Sequence, residues 1–305
     1  MQPSRVLVVE QGKELKCDRF FLDSGAHSIH VLEVLHKNRH KNHKDRFAYY
    51  ETDHFWKYVD DYCDFLLKHQ RSIDFYANVD VIFSPELSWK VLKYMESRGL
   101  HPVPVLHHGT DVKWFVKHVE NGYKYIGIGG VAIFGSYGSY RIWADRIFSY
   151  LCPAPTRLPV VRTHGFAVTS YELLLRYPWY SVDSASWAKA AGFGSVYVPH
   201  KRNGKFDFSV APYAIGFSYR SEAAKSKGRH FSTLSKAEKQ VVLDWLEEIE
   251  MPLGTMNQGD EVGEYGVFSQ YHARATANLK FFERLMKWMP KYPWPFQAKV
   301  KNSFF

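Results

Sequence analysis

YKYIGIGG, residues 123–130, is the stretch on which the reading of the fold turns. It is a short strand-like run that stops at a pair of glycines. Before it, TDVKWFVKHVENG (110–122) begins with a capping threonine, Thr110, and ends in Asn-Gly, as a helix does. After it, SYGSYRIWADRIFSYL (136–151) is amphipathic at the helical period. A strand between two helices is the repeating unit of an α/β layer fold.

Moving outward, the same unit recurs. RVLVVE (5–10), RFFLDSG (19–25), FYANVDVIF (75–83), PVPVLHHG (102–109), PVVRTHGF (159–166), WYSVDS (179–184) and GSVYV (194–198) also read as strands, which makes eight in all. Between them lie further helical patterns. HFWKYVDDYCDFLLKHQ (54–70) has apolar residues at three- and four-residue spacing. PELSWKVLKYMESRG (85–99) opens on Pro85 and stops at Gly99. TSYELLLRY (169–177) carries a capping box from Thr169 to Glu172, and SASWAKAAG (184–192) is a short helix closed by Gly192. Eight strands alternating with helices, without an internal repeat, predict an α/β fold of the (β/α)8 TIM-barrel type over residues 1–200. A doubly wound open sheet is the alternative, and the strand count favours the barrel. HSIHVLEVLHKNRHKNHKDRFAYYE (27–51) reads as a long insertion after strand 2, and loops of that length are usually functional or mobile. Beyond residue 200 the chain turns irregular and basic, then helical at 235–250, with a Ser235/Glu238 capping box, and at 269–290. Residues 201–305 are expected to form a C-terminal helical extension packed on the barrel.

Composition narrows the class. The 305 residues are 46% hydrophobic, enough for a large core. Aromatic content is 17%, mostly core packing with some rings left for stacking bases. A formal net charge of +9 suits a polyanionic partner, although charge does not specify a fold. Cys17, Cys63 and Cys152 are far apart and odd in number, so no disulfide framework or cysteine zinc cluster is expected, and a reducing compartment fits best. No run reaches the roughly 18 apolar residues of a membrane helix, and the first residues lack the pattern of a signal peptide. His36, His40 and His43 are spaced for one helical face and could hold a metal; a basic, phosphate-facing loop is the favoured reading of that segment.

In a barrel the C-terminal strand ends surround the active site. Read in order, they carry Glu10, Asp23, Asn78 with Asp80, His107 with His108, Gly129 with Gly130, His164 and Asp183. Any one of the aspartates could be a helix cap. Together on one rim they suggest a site, and two opposed carboxylates suit chemistry at an anomeric carbon. One attacks C1′ of a sugar while the other manages protons, and a second nucleophile then resolves the covalent ester.

Four segments carry a resemblance. FLDSGAHS (21–28) resembles the Asp-Ser-Gly-Gly-Phe segment of the tRNA-guanine transglycosylase superfamily. VLHHGTD (105–111) stands where that family has a Val-Gln-Gly strand end, and YIGIGGVA (125–132) is similar to its Gly-Gly-Leu-Ala. THGFAVTSYELLLRYPWYSVDS (163–184) matches its Gly-containing strand, helix and nucleophile strand. Order and spacing agree over roughly residues 20–200. The chain resembles most the phage and bacterial DNA-guanine transglycosylase (DpdA-type) branch, whose members put 7-deazaguanines into DNA.

The resemblance implies a pentosyltransferase with Asp183 as nucleophile and Asp23 as the proton-handling group. It implies that Asp80, with Asn78 beside it, recognises the guanine edge. By the same resemblance His108, in place of the family's glutamine, is expected to hydrogen-bond the base carbonyl. Gly129 and Gly130 allow backbone N–H groups close to the heterocycle, and Ser24, Gly25, Gly109 and His164 complete the substrate site. Lys37, Arg39, Lys41 and Lys44, with Lys201 and Arg202, are the expected phosphate contacts. The implied partners are DNA and a 7-deazaguanine base (preQ0 or a relative), with no cofactor, metal or membrane. A homodimer is compatible with the sequence, and the implied location is the cytoplasm, the host's if the protein is phage-encoded. Two departures stand out: the family's Cys-x-Cys-x-x-Cys…His zinc site is absent, and Ala26 replaces the second glycine of Asp-Ser-Gly-Gly-Phe. A tRNA-specific exchanger and a non-catalytic nucleic-acid-binding relative remain as alternatives.

Overall fold

The strand-like stretches pair mainly as one parallel row, and the row follows chain order. The computed structural model describes residues 5–9, 13–17, 20–36, 43–130, 137–168, 170–220, 228–255 and 263–297. A short antiparallel pair, β1 (Arg5–Val9) and β2 (Lys13–Cys17), comes first. Next are β3 (Phe21–Leu22) and β4 (Phe75–Tyr76), paired in parallel with Phe21 opposite Phe75. A parallel bridge from Ala77 to Val103 leads into β5 (Val105–His107). Then β6 (Tyr125–Gly129), β7 (Arg162–Gly165) and β8 (Ser181–Val182) follow, each parallel to its predecessor. The protein is therefore mixed α/β with a parallel sheet.

That sheet is curled. Adjacent strands lie about 4.8 Å apart, so four steps along a flat sheet would separate β3 from β7 by roughly 19 Å. The Phe21 ring of β3 nevertheless stacks on the His164 ring of β7, with centroids 4.3 Å apart. Tyr125 of β6 stands edge-on to both Phe21 and Phe75. Every residue of β6 is buried, as expected when both faces of a parallel strand are covered.

The helices between these strands form for local reasons. Helix α1 (Ala26–Ile29) runs into a π-helical stretch, His30–His36, and a 3-10 helix spans His43–Glu51. Helix α2 (Asp53–His69) is capped by Thr52 and buries Phe55, Val59, Cys63 and Leu66 along one stripe. Each such side chain is worth roughly 1.5–3 kcal/mol of transfer free energy when large and fully buried. Helix α3 (Pro85–Ser97) has Ser84 as its cap, accepting from Leu87 N–H, and proline in its first turn. Helix α4 (Val112–Glu120) and helix α5 (Tyr137–Leu151) flank β6 in the sequence.

The chain divides into two compact units. The first comprises residues 1–166, 178–182 and 295–305; the second comprises 167–177 and 183–294. The second holds α6 (Tyr171–Arg176), α7 (Ser186–Gly192), β9 (Ser195–Val198), β10 (His200–Arg202), β11 (Lys205–Asp207), β12 (Tyr213–Gly216), α8 (Lys236–Glu248) and α9 (Tyr271–Trp288). Asn278 on α9 ties α7 and β9 by three bonds: its Oδ1 accepts from Tyr197 N–H, and its Nδ2 donates to the carbonyls of Trp187 and Ser195.

Several expectations need correction. The stretches at 5–10 and 194–198 are strands, but they join antiparallel pairs, β1 with β2 and β9 with β12, and not the parallel row. Residues 27–51 are largely helical where described, because Ile29, Val34 and Tyr50 are apolar anchors buried in the same core as α2. The basic region after residue 200 contains a tight hairpin, β10–β11, turned by Asn203 and Gly204 at φ +49 and +76. The cap of α4 is Asp111 and not Thr110. Thr169 lies outside the described residues, and α6 starts after Ser170.

Candidate active site

The first unit gathers polar side chains at the C-terminal ends of β3 to β7. After β3, Asp23 is exposed and Ser24 is buried. The Ser24 carbonyl accepts from the Tyr58 hydroxyl at 2.5 Å. Gly25 has φ +72, and a Cβ there would lie 2.9 Å from the same hydroxyl. Only glycine fits this turn without strain. Burial first, and then the charge of Asp23, raises the pKa of both Tyr58 and Tyr62. Two phenol groups therefore stand near the Asp23 carboxylate in their protonated form.

After β4, Asn78 and Asp80 take different roles. Asn78 is buried, and its Oδ1 accepts from Val105 N–H at 2.8 Å, which fixes the start of β5 against the end of β4. Asp80 is 6% exposed and hydrogen-bonds through Oδ2 to Nε2 of His107. A carboxylate only accepts, so His107 Nε2 carries the hydrogen. Burial, then the charge of Asp80, pushes the Tyr50 hydroxyl well above the ordinary tyrosine range. Tyr50 also hydrogen-bonds His30 Nδ1 at 3.1 Å.

Strand phase decides between the two histidines of β5 and the turn after it. Residues two apart share a face, so His107 sides with Val105 and His108 with Leu106. A Cβ on Gly129 would lie 2.9 Å from His107 Nδ1, so that glycine leaves room for the imidazole. His108 lies against Tyr140 and Trp143 of α5, at 5.4 and 5.3 Å between ring centroids. Burial lowers its pKa, partly offset by a hydrogen bond to the backbone at Ser139. Asp80 is thus joined by His107 and not by His108. His107 is a site residue that the family pattern did not single out; the two-residue alternation against Gly127 and Gly129 was the available signal. Gly109 and Gly130 both have positive φ, at +88 and +93, and form turns where their strands end. His164 is buried on β7 between the rings of Phe21 and Phe166, with Nδ1 hydrogen-bonded to Ser181 Oγ at 2.6 Å.

No protein-family model, curated protein or solved structure matches this chain. The reading of the site rests on the chemistry of its residues.

In the second unit, Asp183 directly follows β8 in the chain and is exposed. Its Oδ1 accepts from the backbone N–H of Ala167 at 2.5 Å. Ala167 has φ +53, a left-handed conformation uncommon for a residue with a Cβ. Asp23 belongs to the first unit and Asp183 to the second. On the β10–β11 hairpin, Lys201 pairs with Asp244 at 2.5 Å and Arg202 with Asp207 at 3.2 Å. Lys205 stands opposite Arg202 in the register. Lys37, Arg39, Lys41 and His40 lie outside the described residues, as do the side chains of Lys44, His36 and His43.

Proposed function

We propose that the protein is a guanine transglycosylase that exchanges guanine in DNA for a 7-deazaguanine base of the preQ0 type. The observation that carries this reading is the set of acids and bases at the C-terminal ends of a curled parallel sheet, where parallel α/β folds bind their ligands. The finer reading of that sheet as a (β/α)8 barrel belongs to the same proposal, and the stacking of Phe21 on His164 supports it.

The reading gives each carboxylate one task. The target nucleotide leaves the stack, at about a few kcal/mol, and meets the protein as a flipped base. Asp183 attacks C1′, forming an aspartyl–sugar ester as the C1′–N9 bond breaks. Guanine leaves with a proton on N9 delivered through Asp23. The incoming 7-deazaguanine gives its N9 proton to Asp23 and attacks C1′, which releases Asp183. Protons balance across the two halves, and configuration at C1′ is retained through two inversions. Water must stay out, because it would hydrolyse the ester and leave an abasic site. The N–H of Ala167 suits the nucleophile's task, since it orients the carboxylate while the group stays exposed. Lys201, Arg202 and Lys205 on a tight hairpin suit contact with a phosphate backbone.

The test is base exchange on duplex DNA with preQ0 and its relatives, read by nucleoside mass spectrometry, with tRNA in parallel and Asp183→Ala as control. Incorporation into DNA that vanishes in the variant supports the proposal. Incorporation into tRNA alone moves the substrate to RNA. No incorporation into either polymer, with no adduct at Asp183, rejects the chemistry.

A further inference from the structure

One string of contacts in the first unit is more polar than a core needs. Phe83 packs against His30, with ring centroids 5.5 Å apart. His30 hydrogen-bonds Tyr50, the Tyr50 hydroxyl feels the charge of Asp80, and Asp80 is bonded to His107. His107 then fills the space left by Gly129. These groups come from the π-helical stretch, the 3-10 helix and the ends of β4, β5 and β6, so they converge from five places in the sequence. Burying a carboxylate with an imidazole seldom adds net stability over an apolar pair. Phe83 adds a second cost: it holds φ +74, which a bulky residue rarely adopts, and the residue is 43% exposed. Strain of this kind persists where the surroundings enforce it, and it concentrates at ligand sites.

We propose that His107 is the positioning residue of a base-reading carboxylate. Its Nε2–H holds Asp80 in one orientation, so that the carboxylate's remaining lone pairs receive the ring N–H and the adjacent amino N–H of a guanine-type base. The ring of Phe83, which packs on His30 at the other end of the same string of contacts, offers a flat apolar surface to such a ligand. The class of ligand rests on the transglycosylase reading; the role of His107 rests on strand phase and on its bond to Asp80. A carboxylate has about four lone-pair sites, so the bond to His107 leaves acceptor capacity for two further donors. A site built to receive an amino group discriminates strongly against an analogue that lacks it, because its acceptor is then left buried and unmet.

The experiment measures binding of free guanine and of hypoxanthine, which lacks the amino group, to the full chain by calorimetry, with no nucleic acid present. The wild type is expected to favour guanine by about tenfold or more. His107→Ala should collapse that ratio. His107→Gln, whose amide can still donate to Asp80, should restore most of it. Melting curves identify any variant that fails to fold; if His107→Ala is one, the ratio in His107→Gln against that in Asp80→Asn decides. The inference is overturned if wild type shows no saturable guanine binding or no preference over hypoxanthine. It is equally overturned if folded His107→Ala keeps the wild-type ratio, or if folded His107→Gln has none. Loss of the Asp183 adduct with an intact ratio would sink the exchange chemistry and leave the base-reading pair standing.

Discussion

Asp80 and Asp183 are both aspartates at the ends of strand segments, yet the protein treats them in opposite ways. Asp80 is buried and its partner is a side chain, His107. Asp183 is exposed and accepts a hydrogen bond from a backbone N–H, that of Ala167. A buried acid fixed by a side chain suits recognition, because the group can be aimed and kept dry. An exposed acid fixed by the backbone suits attack, because the amide orients the carboxylate without covering it. In the proposed reaction, the same residue type at the same kind of position would thus take its role from burial and partner.

Removing each acid tests this contrast, and the effects should run opposite ways. Asp183→Ala should lower base exchange by about a thousandfold or more, as loss of a nucleophile does, while shifting stability by about 1 kcal/mol or less. Asp80→Ala should cost about 2 kcal/mol in urea denaturation, because it leaves a largely covered imidazole without its acceptor. If the stability losses came out reversed, the division of labour would fail. A gentler change targets the wall behind Asp80. Gly129→Ala puts a methyl group 2.9 Å from His107 Nδ1 and should cost about 1–3 kcal/mol by crowding the imidazole.

Protonation separates buried from exposed groups again. Burial lowers the pKa of His118 and of His108 below the ordinary 6.5. The unfolded chain therefore binds these protons first as pH falls, so the neutral histidines support the fold above about 6.5 and that support is lost below it. Urea midpoints should fall from pH 7 to pH 5, and His118→Gln should flatten the slope; an unchanged slope would remove His118 from the account. The smallest effect is expected on the exposed hairpin. Lys205→Ala should leave stability within about 0.5 kcal/mol and reduce the salt slope of DNA binding by about 1.

Helices were the legible part of the sequence. The stripe Phe55, Val59, Cys63, Leu66 and the Ser235/Glu238 capping box are local signals, and both elements form where they predict. Strands were legible as strands but not as partners. RVLVVE reads like any barrel strand, and its antiparallel mate, KELKC, is too charged and too short to announce itself. The segment 27–51 looked like a loop because its basic middle hides the anchors Val34 and Tyr50 at either side. In the candidate site, Asp23, Asp80 and Asp183 could be singled out as strand-end acids. The choice of His107 over His108 was harder to read, because β5 is three residues long and the one signal of its phase is its alternation against the glycines of β6.

The partition of the chain has a bearing on how the protein is made. Phe296 is among the last described residues, yet it is 1% exposed, packs on Phe148 and donates its backbone N–H to Arg157 O. The first unit therefore lacks a piece of its interior until residues 183–294 of the second have been translated. The segments of the two units alternate along the chain, so neither can be excised by a single cut in the gene.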